Sequence, residues 1–301
     1  MAKLKNDPIL EADMLEYLNA YSDFSFELVV LKMLREHVFD CEHGGHYEDP
    51  VTNKSREFDI RAIKTIHKYR VRMAIECKNI RENFPILISC IPRHEKESYH
   101  QIALVSEPKK DSSYLAAPSI LQSRTNTFDI RGEHSLYKPI DPVGKSTVQV
   151  GRATDGTISA NDAELYDKWG QCLSSASDLV ERVYWDGGRK DSEDFYFSAV
   201  FPFVVVPNGR LWIVSYDVDG NRVSDPSLTV RCSCFIDKDY KMGTQLARAS
   251  MSLSHIEIVT FDGMRSFVEE YLMSEERMEK IFSKEGIKSA LQRRAKASNF
   301  D

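Results

Sequence analysis

Two short segments with strict period-two alternation, joined through one tight turn, restrict this chain more than any other feature. Phe58, Ile60 and Ala62 alternate with Glu57, Asp59 and Arg61, and Val71, Met73, Ile75 and Cys77 alternate with Arg72, Ala74, Glu76 and Lys78. Successive side chains of a strand point to opposite faces, so each segment has one apolar face and one that carries charge. A turn centred between His67 and Lys68 makes the two segments a hairpin. Paired positions then sum to a constant: Ile66 faces Tyr69, and Asp59 faces Glu76.

Directly opposed residues on one face have Cβ atoms about 4.5 to 5.5 Å apart. Two carboxylates that close repel each other unless a cation lies between them. Hard divalent ions such as Mg²⁺ take carboxylate oxygens and keep several waters, so the pair reads as a metal site with open positions. Lys78 is two residues beyond Glu76, on the same face at roughly 7 Å. From there an ammonium can hold or help deprotonate an attacking water and offset charge in the transition state. The Cys77 thiol points to the other face, but its backbone carbonyl can still reach the metal.

A helix is expected from Ser22 or Asp23, either of which can cap it, with Phe26, Val29, Val30, Met33 and Leu34 as a buried stripe. If it packs across the sheet, Glu27 becomes a third carboxylate at the metal. An earlier helical pattern follows Asp7 and Pro8, with Ile9, Leu10, Met14, Leu15 and Leu18 on one side. Residues 41–55, containing Gly44, Gly45 and Pro50, read as a polar loop, and 85–91 as a third strand. Residues 93–160 suggest loops and small strands. A helix is clear from Asp162 to Tyr184. Strands at 195–206 and 211–218 flank Pro207-Asn208-Gly209, a hairpin signal. Further strands are expected at 228–236 and 255–261, then a helix from Met264 to Phe282. Helices alternating with strands indicate an α/β domain around a mixed sheet.

At 301 residues, 42% hydrophobic and 29% charged, the chain has the composition of an ordinary globular protein. No stretch reaches the roughly 18 to 20 apolar residues of a membrane span, and no apolar run follows the first lysines as in a secretory signal. Six scattered cysteines form no disulfide framework, which suits a reducing cytoplasm. The net charge of -6 argues against a protein that coats nucleic acid through bulk charge. A local basic surface is expected instead from Arg61, Lys64, His67, Lys68, Arg70 and Arg72. Lys284 to Arg294 form a second basic segment, read as a solvated face.

Glu27, then Arg56-Glu57-Phe58-Asp59-Ile60, then Ala74-Ile75-Glu76-Cys77-Lys78-Asn79 resembles the PD-(D/E)XK nuclease superfamily, especially its Mrr-like restriction-endonuclease members. There a helical glutamate precedes an aspartate on one strand and a Glu-x-Lys on the next. The match covers residues 22–90, and no proline precedes Asp59. The resemblance implies a restriction-endonuclease-like α/β core, a mixed sheet flanked by helices, with additional strands and a C-terminal helix. One nuclease domain would span residues 1–301, with its core at about 22–220, an insertion at about 93–160 and a C-terminal strand and helices at about 254–301. It implies Mg²⁺, with Mn²⁺ able to substitute, held by Asp59, Glu76, Glu27 and Cys77, and phosphodiester hydrolysis with Lys78 in the site. In many relatives a later helix adds a glutamine or lysine, a part open here to Gln171 or Lys168. Double-stranded DNA, a homodimer, a partner protein and a bacterial restriction or antiviral setting rest on the resemblance alone. The alternative is a catalytically silent nucleic-acid-binding or assembly subunit.

Other motifs carry less. Cys41-x-His43-Gly44-Gly45-His46 lacks a second ligand pair at zinc spacing. Gly144-Lys145-Ser146-Thr147 resembles the end of a phosphate-binding loop, but the required first glycine falls on Pro139. Cys232 and Cys234 share a strand face and read as core.

Overall fold

The structure, a computed structural model, describes residues 6–49, 52–106, 124–188, 195–242 and 249–297. Part of the expected insertion, at 107–123, and the last four residues of the chain lie outside these. Helices α1 (Glu11–Ala20) and α2 (Phe24–Glu36) precede strands β1 (Asp40–Glu48), β2 (Ser55–Ile66), β3 (Tyr69–Cys77) and β4 (Ile86–Pro92). Four more strands follow: β5 (Tyr99–Ser106), β6 (Arg124–Arg131), β7 (Pro142–Arg152) and β8 (Ile158–Asn161). Helix α3 (Ala163–Val183) leads to β9 (Phe195–Val206), β10 (Leu211–Ser215), β11 (Ser227–Leu228), β12 (Arg231–Met242) and β13 (Ala249–Thr260). Helices α4 (Phe261–Tyr271), α5 (Glu275–Met278) and α6 (Lys284–Ala297) close the chain.

The thirteen strands among the described residues join one mixed sheet, in the order β1-β2-β3-β9-β13-β12-β7-β4-β10-β11. β5 pairs with β9 and β6, and β8 with β7. β9 is its axis, parallel to β3 on one side, and on the other parallel to β13 and antiparallel to β5. Its near-continuous apolar run suits a strand covered on both faces. Val200, Val204 and Val206 pack in the layer under α3, while Phe201, Phe203 and Val205 pack in the opposite layer with α2, α4 and α6.

The β2–β3 ladder has the register expected from the sequence, from Ile66 opposite Tyr69 to Ile60 opposite Ile75. Asp59 and Glu76 are the next positions outward. Other expectations are corrected. Residues 41–55 are largely not a loop, because β1 pairs antiparallel with β2 from Asp40–Ile63 to Glu48–Ser55. β1 is a polar edge strand, and Gly45 is covered by the Phe58 ring across the ladder, where an added Cβ would lie 2.5 Å from a ring carbon. Residues around Pro207-Asn208-Gly209 make a turn but no hairpin: β10 pairs in parallel with β4 instead of returning along β9. Both flanks of β9 are already taken by β3 and β13, so no edge is left for β10. The region 93–160 contributes full strands, β5 to β7, to the central sheet. The helix expected from Met264 to Phe282 is broken at Leu272–Ser274, where the Ser274 hydroxyl caps α5.

Helix α1 has no buried residue. In α2, Val30, Leu31, Met33 and Leu34 are buried, but Val29 is exposed. Half of the basic stretch expected at the surface is interior: Arg61, Arg70 and Arg72 are buried beneath α3 and the turn after it, while Lys64, His67 and Lys68 keep some exposure. Arg61 pairs with Asp178 at 2.6 Å, and Arg70 and Arg72 both donate to Asp186 Oδ1 at 2.5 Å. Alternation places these side chains on the polar face of β2 and β3, and α3 covers that face. All six cysteines are free thiols. No helix among the described residues is long and apolar enough to cross a membrane.

His100 is buried between the Ser135 hydroxyl and the Ile281 carbonyl, which ties β5 to the segment before α6. Burial pushes its pKa down to about 4. An unfolded histidine, with a pKa near 6.5, takes up a proton that the native site resists, so stability is lost as pH falls from about 6.5 towards 4. Between pH 7 and pH 5 the free energy of unfolding is expected to drop by roughly 2 kcal/mol from this residue. Urea melts at the two pH values check this, and His100→Gln should flatten the slope. Some slope will remain, because burial lowers His255 as well.

Candidate active site

The outer ends of β2 and β3, the start of α2 and the first turns of α3 meet at one polar cluster. Asp59 leaves the regular ladder here, and its Oδ2 accepts the Cys77 backbone N–H at 2.7 Å, which holds the carboxylate towards the Glu76 side. Glu76 is almost completely buried. The Lys168 ammonium on α3 bridges the two, 2.9 Å from Asp59 Oδ2 and 3.2 Å from Glu76 Oε2. The second Glu76 oxygen, Oε1, is buried without a hydrogen-bond partner.

Burial and the neighbouring Asp59 charge push Glu76 up to about 8, although Lys168 opposes this. Burial disfavours the Lys168 ammonium too, but Glu76 and Asp59 more than offset it and its pKa is raised. Glu27 is also raised, by burial first and then by Asp59, which places it within electrostatic reach of the pair. Its carboxylate meets His43 Nε2 at 3.1 Å. His43 comes from β1 and was not among the residues singled out as catalytic. The Cys41-x-His43-x-x-His46 residues face separate partners: the Phe39 carbonyl, Glu27 and Glu57. They form no zinc set.

Lys78 is the residue whose placement differs most from expectation. Strand β3 ends at Cys77, and the Lys78 ammonium turns to Asp23 at 3.4 Å and Glu164 at 3.6 Å. Asp23 stands at the N-cap of α2, but its side chain leaves the helix uncapped. It accepts the Asn79 backbone N–H at 2.7 Å instead, while Asn79 donates to the Ser22 carbonyl. These contacts tie the start of α2 to the exit of β3 and hold Glu27, one turn further on, beside the carboxylate pair. Cys77 has its thiol in the apolar layer, as alternation requires. Gln171 lines the cleft one helical turn from Lys168, and its carbonyl accepts the Tyr47 hydroxyl.

The cleft beside the pair has a volume of about 570 Å³ and is lined by Asp59 and Lys168 together with His46, Arg56, Glu57 and Gln171, while Glu76 lies buried behind them. Gly44 falls across from Asp59 in the β1–β2 register, with φ +66°, where any side chain would be strained. The β1 position opposite Asp59 therefore carries no side chain, and Asp59 lines the cleft. Lys145 and its neighbours lie on β7, paired with Glu97, so the sequence that resembled a phosphate loop is a strand.

Among the described residues no three His, Cys, Asp or Glu side chains are grouped so as to hold a metal, so Glu27, paired with His43, does not join Asp59 and Glu76 as the expected third carboxylate ligand. The two carboxylates that do meet, Asp59 and Glu76, are a donor set of the size Mg²⁺ takes, since that ion binds one or two carboxylates and keeps several waters. The orphaned Glu76 Oε1 favours this fit, since it is a buried oxygen in need of a donor or a cation. No protein-family model matches the chain, and neither does any curated protein or solved structure.

Proposed function

We propose that the protein is a divalent-metal-dependent nuclease that hydrolyses phosphodiester bonds, with DNA as its substrate and a restriction or antiviral setting as its context. The observation that carries this reading is the Asp59–Glu76 pair: two carboxylates on adjacent strands, Asp59 lining a cleft and Glu76 buried behind it with one oxygen unpartnered. Asp59 and Glu76 would hold Mg²⁺, with Glu27 behind them and the Cys77 carbonyl within the same strand end. When bound, the ion supplies Lewis acidity and a water that ionises near neutral pH. Lys168 brings positive charge to a cleft where a phosphodiester gains negative charge during hydrolysis, while Lys78 is held by Asp23 and Glu164 outside its lining. Arg56 and Gln171 at the rim offer donors to the polymer backbone.

Incubation of plasmid DNA, single-stranded DNA and RNA with native protein and Mg²⁺ or Mn²⁺ tests the proposal. Cleavage is expected with the native chain, to stop with a chelator, and to slow at least about a hundredfold in Glu76→Gln. Equal cleavage by both proteins would move the chemistry away from this site.

One observation favours a second reading, a silent binding or assembly subunit. Lys168 already neutralises the carboxylate pair, as an internal cation does in a purely structural network. DNA binding without cleavage under every metal would support that reading and reject the enzyme.

A further inference from the structure

We propose that Lys168 is the resident counter-ion of the Asp59–Glu76 pair and competes with the divalent ion, so that metal loading requires Lys168 to leave. This rests on the metal-dependent reading above. The ammonium lies within hydrogen-bond distance of one oxygen from each carboxylate. A Mg²⁺ ion binds carboxylate oxygens at about 2.0 to 2.1 Å. An ammonium and a dication on the same oxygens repel each other, so one must yield.

The surroundings let the lysine yield without moving its helix. Leu165 and Cys172, one turn to either side on α3, are fully buried, and the Cys172 thiol donates to the Ala74 and Phe203 carbonyls. These contacts pin α3 to β3 and β9. The Lys168 stem has four carbons and several rotatable bonds, and its tip borders the open cleft. Release therefore carries the ammonium into the space where a phosphodiester would lie. Lys78 has no equivalent path, because Asp23 and Glu164 hold it on the α2 side. In this arrangement metal binding and presentation of a cation to substrate are one event.

Calorimetric titration of Mg²⁺ at pH 8.5, where protons compete less for the carboxylates, compares native protein with Lys168→Met. Removing two charge-assisted bonds to the pair should tighten Mg²⁺ binding about ten- to hundredfold. A second measurement uses the native protein alone: acetylation of Lys168, followed by mass spectrometry, should rise several-fold when Mg²⁺ saturates the site. This arm stands even if Lys168→Met does not fold. Native protein that binds Mg²⁺ with no rise in Lys168 acetylation overturns the competition and leaves the metal site intact. Failure of native protein and variant alike to bind Mg²⁺ overturns the metal reading itself, and the competition with it.

Discussion

Asp59→Asn is expected to slow metal-dependent cleavage roughly a thousandfold while the protein stays folded. Asparagine keeps the volume of Asp59 and a carbonyl oxygen able to accept the Cys77 N–H, so the local backbone contact survives. It loses the charge that, with Glu76, would hold a divalent ion. Removing one of two crowded carboxylates also eases the repulsion on buried Glu76, so the melting temperature should hold or rise. Single-turnover cleavage and thermal melting on the same preparation check both halves. Native-rate cleavage by the variant would place the chemistry elsewhere.

The second large effect concerns stability. Asp186→Ala is expected to cost about 3 to 5 kcal/mol, because it removes the carboxylate shared by two buried guanidiniums. Asp186 receives Arg70 and Arg72 on one oxygen and the Ser198 hydroxyl on the other, and all four residues are buried. It links the segment after α3 to β3 and β9. The expected fall in melting temperature is roughly 10 °C for a chain of this size. Breaking the exposed Arg222–Asp225 pair should change stability by less than about 1 kcal/mol, since solvent screens it. Chemical denaturation of the two variants measures the contrast.

Different parts of the molecule were legible in the sequence to different degrees. The hairpin was, because period-two alternation and a two-residue turn leave only one register that keeps both apolar faces together. The α2 stripe and the long helix α3 were also visible through their apolar spacing. β1 was not: its residues are polar, it contains two adjacent glycines, and an edge strand with one neighbour needs little apolar signal. The hairpin expected at Pro207-Asn208-Gly209 failed for a related reason. A local turn signal cannot report that both sides of β9 are occupied by distant strands.

The Asp59–Glu76 alignment that anchors the candidate site was therefore determined by the sequence itself, through covalent spacing and strand periodicity. What stands beside that pair was decided by tertiary structure. Lys168 is 92 residues from Glu76 and 109 from Asp59, and only the docking of α3 on the sheet brings its ammonium between them. The same docking buries Arg61, Arg70 and Arg72, which alternation alone leaves on a face that water or a helix could cover equally well. Periodicity specifies which side chains share a face. Only packing decides what covers that face, and here the cover carries the cation.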